Sequence, residues 1–157
     1  MKKTNNRGFS LIELIVVIAI MAVLVGALTP QFIKYVERGR KSVDVQNVAT
    51  IVSAVKIYAA DPMVDSAAQI ENGATITLTG SQVDVVGADG LSSNCTGNAD
   101  KALTAAGIKT IGLQSGKWGD GTKDTVKLTI TVDGAGNVTV TSDTVDKKND
   151  ILAGKYE

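Results

Sequence analysis

The chain has 157 residues, of which 44% are apolar, and its 16 Lys and Arg balance 16 Asp and Glu. A zero net charge supplies no basic field for nucleic acid, and a chain without histidine lacks the residue best suited to neutral-pH acid and base work. One cysteine, Cys95, excludes an internal disulfide and a cysteine metal cluster; a small buried thiol, an intermolecular bridge and a modified thiol remain open for it.

The apolar residues gather in the first third. Met1 to Arg7 is short and basic, and Phe9 to Leu28 is a stretch of 20 residues interrupted by one charge, Glu13. At about 1.5 Å per residue such a helix spans the roughly 30 Å hydrocarbon core of a bilayer. An ordinary secretory signal is opposed by the length of the stretch and by the acid inside it. A carboxylate at membrane depth costs on the order of 2.5–3.5 kcal/mol. No Lys or Arg stands near it on the helix, which leaves solvent, a proton or a cation from another chain as its partner. Intermolecular pairing is the most economical of these.

Pro30 closes the apolar run and Gly26 stands four residues before it, at the carbonyl whose hydrogen bond a proline removes; the pair marks a kink or unwinding point. Ile33, Val36, Val43, Val48, Ile51, Val52, Val55 and Ala59 then recur at helical spacing. Lys34, Glu37, Arg38, Arg40, Lys41, Asp44, Gln46, Asn47, Ser53 and Lys56 fill the other face. This predicts an amphipathic helix continuing to about Ala60, where Asp61-Pro62 stops it. The basic cluster Lys34 to Lys41 is read as a solvated face or as a contact for acidic lipid or an acidic neighbour.

Arg7-Gly8-Phe9-Ser10-Leu11-Ile12-Glu13-Leu14, after a basic leader and before the apolar helix, resembles the processing motif of type IV prepilins. That resemblance implies cleavage after Gly8 by a prepilin peptidase and methylation of the new N-terminal Phe9. It also implies pairing of Glu13 with the Phe9 amine of a neighbouring subunit during assembly, and loss of helical order near Gly26 and Pro30 in the filament. Glycine admits close approach of a protease to the backbone. An amine and a carboxylate paired at low dielectric penalise every register that leaves either unpaired. The implied partners are further copies of the chain, the peptidase, the pilus assembly machinery and, before assembly, the cytoplasmic membrane. Loss of the leader leaves 13 basic residues against 16 acidic ones, a net charge of −3.

Beyond residue 61, periodicity changes. Thr75 to Thr79 and Thr125 to Val132 alternate polar and apolar, and Asn137 to Thr141 returns after the turn Asp133-Gly-Ala-Gly136 as the partner of an antiparallel hairpin. Gln82 to Val86 reads as a short strand. Asn98 to Ala106 reads as a short helix stopped by Gly107. Gly112, Gly116, Gly119 and Gly121 punctuate a surface loop around Trp118, which is either an adhesive contact or an anchor for its loop. The loop lacks the ending of a phosphate-binding motif, and Asp120, Asp124 and Asp133 fall short of a calcium loop. Asn94 and Asn137 match the glycosylation acceptor pattern, a weak signal in so Thr-rich a chain. Ile151 and Leu152 are expected to dock after a solvated run from Asp143 to Asp150. Many type IV pilins close a C-terminal loop with a disulfide, which this chain cannot do.

The reading is an α+β fold, a long N-terminal helix packed on a small antiparallel sheet. It divides into a leader (1–8), a membrane or filament-core helix (9–29), the amphipathic second half of that helix (30–60) and a sheet domain (61–157). The expected function is structural: a type IV pilus subunit, or alternatively a pseudopilin of a type II secretion system, with an anchored binding domain as the more distant rival. Neither an enzyme activity, a cofactor nor a small-molecule substrate is called for. Before assembly the chain belongs in the cytoplasmic membrane, and afterwards in an extracellular filament.

Overall fold

A computed structural model describes residues 9–66, 68–80, 83–84, 94–118, 125–133, 137–144 and 150–152. The elements follow the order α1 (Leu11–Ala59), β1 (Thr75–Thr79), β2 (Val83–Asp84), α2 (Ala99–Ala105), β3 (Thr110–Ile111), β4 (Thr125–Val132) and β5 (Val138–Ser142). They fall into two compact units, Met1–Glu37 and Arg38–Glu157.

The first unit contains the start of α1. Helix begins at Leu11, two residues later than the sequence suggests, and continues through Gly26 and Pro30. Thr29 donates its hydroxyl to the Val25 carbonyl at 2.6 Å, which satisfies that polar group inside an otherwise apolar stretch.

The second unit is built on a three-stranded antiparallel sheet of order β1-β4-β5, with β2 and β3 as a separate two-stranded pair. Ile76 stands opposite Leu128, and Leu78 opposite Val126. Because side chains alternate across a strand, this register puts all four on one face. They form the core with Ile130, with Val48, Ile51 and Val55 of α1, with Ala99, Ala102 and Leu103 of α2, and with Trp118 and Ile151. The outer edge of β1 is covered by the chain around Cys95: Thr77 N–H donates to the Asn94 carbonyl at 2.7 Å and Thr96 N–H to the Thr75 carbonyl at 2.9 Å. Cys95 itself is buried.

Local signals explain the element ends. At the end of α1, Asp61 Oδ1 accepts the Met63 N–H at 2.9 Å, so the residue before Pro62 forms a side-chain turn where helix cannot continue. At the end of α2, Gly107 N–H donates to Thr104 and Ile108 N–H to the Leu103 carbonyl, both at 2.9 Å, with Gly107 at φ +74. This is the paired closure that a left-handed glycine makes possible. The β4–β5 hairpin is held at its turn end by Asp133, whose carboxylate accepts both the backbone and the side-chain N–H of Asn137 at 2.8 Å. The intervening Gly134 to Gly136 lie outside the described residues.

Gly97 is tightly placed. A Cβ there would stand 2.8 Å from the Ala74 Cβ and 3.0 Å from its Cα, and the residue sits at φ +60. Gly97→Ala is expected to cost about 1–3 kcal/mol through strain and displacement of the approach to β1; thermal unfolding of the full chain in detergent measures it, and an unchanged midpoint would contradict the close approach.

Two expectations for the second half of α1 and its neighbourhood are corrected. Lys41 and Asp44 are buried at 5% and 0% exposure, whereas Val43 is 47% exposed and Ile33 and Val36 also remain exposed. The inward stripe is Lys41, Asp44, Val48, Ile51 and Val55, spaced by three and four, and its first two members are charged. Burial of Asp44 is compensated by three donors: Gln114 N–H at 2.6 Å, Ser115 N–H at 2.9 Å and Trp118 Nε1–H at 3.0 Å. Lys41 Nζ lies 5.2 Å from the centroid of the Trp118 ring, a cation over an aromatic face. The segment after β3 is therefore no free surface loop in its described part: Leu113, Ser115 and Trp118 are buried. Trp118 is an anchor, fully covered. Gly119, Asp120, Gly121 and Asp124 lie outside the described residues.

Candidate assembly site at the start of the long helix

Leu14 to Ile33 carries no charge at all, a run of 20 residues between Glu13 and Lys34. Through this run the large side chains point outward on every side, from Ile12, Leu14 and Ile15 to Val25, Leu28 and Phe32. An 18-residue window of α1 has mean hydropathy 3.0 and is 0% buried, so this helix is long and apolar enough to cross a membrane. A helix hydrophobic all round needs an apolar environment, either lipid or other helices. Within its unit it has neither.

The site residues lie at the head of this helix. Phe9 precedes the first turn, in non-helical backbone, and is 93% exposed. Ser10 is the residue before the first helical one, and its carbonyl accepts the Leu14 N–H at 3.3 Å. Glu13 is the third residue of the helix, and its Oε2 accepts the Ser10 N–H at 2.8 Å. Ser10-Leu11-Ile12-Glu13 thus forms the Glu arm of a capping box, in which an acid at the third position turns back to satisfy an N–H at the helix start. A negative charge there also meets the positive end of the helix dipole.

The Ser-x-x-Glu spacing is the sequence signal of this contact. Glu13 therefore has a partner at the start of its own helix, the Ser10 N–H, besides the solvent, proton or foreign cation that its place in an apolar run suggests. Gly8 lies outside the described residues. Gly26 and Pro30 are both within continuous helix, with open space where a Cβ on Gly26 would stand.

Among the described residues no group of three or more His, Cys, Asp or Glu side chains is placed to hold a metal ion. Asp133, named above as a conceivable calcium ligand, is occupied by Asn137.

The model of the prokaryotic N-terminal methylation motif matches residues 3–29. The chain is 37% identical over 65 residues, 41% of its length, to a prepilin peptidase-dependent protein A from Clostridium perfringens, strain 13 / Type A. It is 39% identical over 54 residues, 34% of its length, to the type IV major pilin protein PilA of Myxococcus xanthus, strain DK1622. The matched stretches span 46% of the first relative and 24% of the second, less than half of either. No solved structure matches the chain. Residues 3–29, which match the prokaryotic N-terminal methylation motif, hold the glycine before Phe9, the acid on the first helical turn and most of the exposed apolar run, and the chain is similar over part of its length to a prepilin peptidase-dependent protein and a type IV pilin.

Proposed function

We propose that the chain is a structural subunit of a type IV pilus. A prepilin peptidase cuts after Gly8, Phe9 is methylated, and the subunit waits in the cytoplasmic membrane as a single-pass protein before polymerising into an extracellular filament. The observation that carries this reading is the run of exposed apolar side chains from Phe9 to Val36, with Glu13 as its one acid. Lipid satisfies that surface before assembly and the helices of other copies satisfy it afterwards, so polymerisation exchanges one apolar environment for another.

In the filament Glu13 pairs with the Phe9 amine of a neighbour, which selects register because any other offset leaves a charge unpaired at low dielectric. Gly26 and Pro30 supply a weak point in the helix, since the proline removes one internal hydrogen bond and the glycine lowers helical preference. The domain scheme that accompanies this is a leader at 1–8, a filament-core helix at 9–29, its amphipathic continuation at 30–60 and a sheet domain at 61–157. Adhesion, surface motility and DNA uptake are the tasks such a filament serves. The role is structural rather than enzymatic.

The second reading, a type II secretion pseudopilin, shares the N-terminal motif and separates from the first in the cell. Deletion of the coding sequence should abolish surface filaments and leave export of secreted enzymes intact. Retention of exported enzymes with no loss of filaments would favour the pseudopilin and overturn the pilus assignment.

A further inference from the structure

The uncharged run of α1 ends at a cation. Lys34 follows it directly, Arg38 stands one turn further along the same helix, and both side chains are exposed. We infer that Lys34 and Arg38 form a headgroup-binding collar on α1, which takes the phosphate of an anionic phospholipid while the subunit is held in the membrane. This role deepens the proposed function and rests on it for the membrane-spanning state.

The collar lies at the right depth. The 20 uncharged residues between Glu13 and Lys34 make about 30 Å of helix, the thickness of the hydrocarbon core. A span with Glu13 at one boundary therefore puts Lys34 at the other, where lipid phosphates lie. A lysine there extends its ammonium to headgroup level and leaves its methylene stem in the apolar layer. Phe32 and Tyr35, nearly one turn apart, are exposed beside it, and a tyrosine at the interface keeps its ring in the apolar layer and its hydroxyl in the wet one. Ile33 and Val36 are exposed as well, so the apolar surface reaches past Lys34.

Its charge fits the same partner. Residues four apart share a helix face, which sets Lys34 beside Arg38 and brings both cations to one place. Lys41, three residues on, is buried over the Trp118 ring and lies outside the collar. Glu37, the one acid from Phe32 to Arg40, is half-buried and engaged within the chain. With the sheet on the outer side of the membrane, as an extracellular filament requires, these cations stand on the flank where Lys and Arg oppose insertion. An anionic headgroup offsets that opposition, because each Lys or Arg near an anionic surface is worth about 1 kcal/mol, roughly five-fold in affinity. An acidic segment of another chain would answer the charges alone. A lipid answers the charges and the apolar band around them together.

The test places the full chain in vesicles of phosphatidylcholine alone and of phosphatidylcholine with phosphatidylglycerol, where spin-labelled lipids of each headgroup report which is immobilised on the protein. The unaltered chain should hold the phosphatidylglycerol label in preference to the phosphatidylcholine label. That preference should fall about five-fold in Lys34→Gln, fall about five-fold again when Arg38→Gln is added, and persist in Lys34→Arg. Both positions are exposed, and an unchanged near-ultraviolet signal from Trp118 checks that the variants keep the second unit folded. Equal immobilisation of the two labels by an unaltered chain that has entered the vesicles would overturn the collar and leave the membrane reading standing. A chain that enters neither kind of vesicle would overturn both. Loss of filaments in the double variant with an unchanged lipid preference would assign the two cations to an acidic neighbour and overturn the inference.

Discussion

Replacing Asp44 by Ala should unfold or nearly unfold the second unit, with a loss of about 3–5 kcal/mol. The size follows from what the carboxylate does: it is fully buried and accepts two backbone N–H groups and the indole N–H of a fully buried tryptophan. Removing it leaves the Ser115 N–H and the Trp118 indole N–H without an acceptor in buried positions, each costing about 1–3 kcal/mol before relaxation, and frees the part-buried Gln114 N–H. It also removes the negative charge near Lys41, itself 5% exposed. Total stabilities of roughly 5–15 kcal/mol make this a large share. In thermal unfolding of the full chain in detergent, followed by the near-ultraviolet signal of Trp118, the midpoint should fall by roughly 10–20 °C. Asp44→Asn should fall between, because an amide offers one acceptor oxygen where the carboxylate has two and turns an N–H toward other donors. A shift of less than about 2 °C for Asp44→Ala would mean that the three bonds do not hold the segment from Leu113 to Trp118 against α1.

The second large effect belongs to the other end of the helix. Glu13→Ala should abolish or strongly reduce filaments while leaving cleavage after Gly8 and the fold of the second unit unchanged. A hydrogen bond to a charged group is worth about 1.5–3 kcal/mol, so its loss at one interface lowers association by roughly ten-fold or more. A polymer repeats the loss at every subunit. Glu13→Lys should be worse, since it sets like charges together at low dielectric. The measurement is the yield of sheared filaments against total cleaved subunit. Full yield from Glu13→Ala would remove intermolecular pairing as the reason for this acid and leave the apolar surface to account for assembly unaided.

Much of the architecture was readable from local chemistry. The strands at Thr75–Thr79, Thr125–Val132 and Val138–Ser142 follow alternation, which works when one face of a sheet is buried and the other is wet. The end of α2 follows Gly107, and the end of α1 follows Asp61-Pro62, because each residue type permits few other conformations. The two-residue strand β3 carried no such signal: Thr110 and Ile111 are too few to show a period, and their partners Asp84 and Val83 lie well over twenty residues earlier in the chain.

Asp44 and Lys41 were misplaced for a different reason. Patterning treats every charged residue as outward, and an acid that collects three donors from a segment about 70 residues later breaks that rule without a local mark. The phase of the stripe Val48, Ile51 and Val55, extended back by four and three, does land on Asp44 and Lys41. Periodicity therefore held the information, and polarity obscured it. At the candidate assembly site the opposite holds: Ser10 and Glu13 form a local motif that two residues three positions apart reveal, overshadowed by the charge of the acid in an apolar run.

The central claim is that this chain is processed at Phe9 and then polymerises through its apolar helix. Intact-mass analysis of the subunit in filaments sheared from the cell surface tests it most directly. The expected result is an abundant species that begins at Phe9 and carries one N-terminal methyl group; a subunit retaining Met1 to Gly8, or one absent from surface filaments altogether, would contradict it.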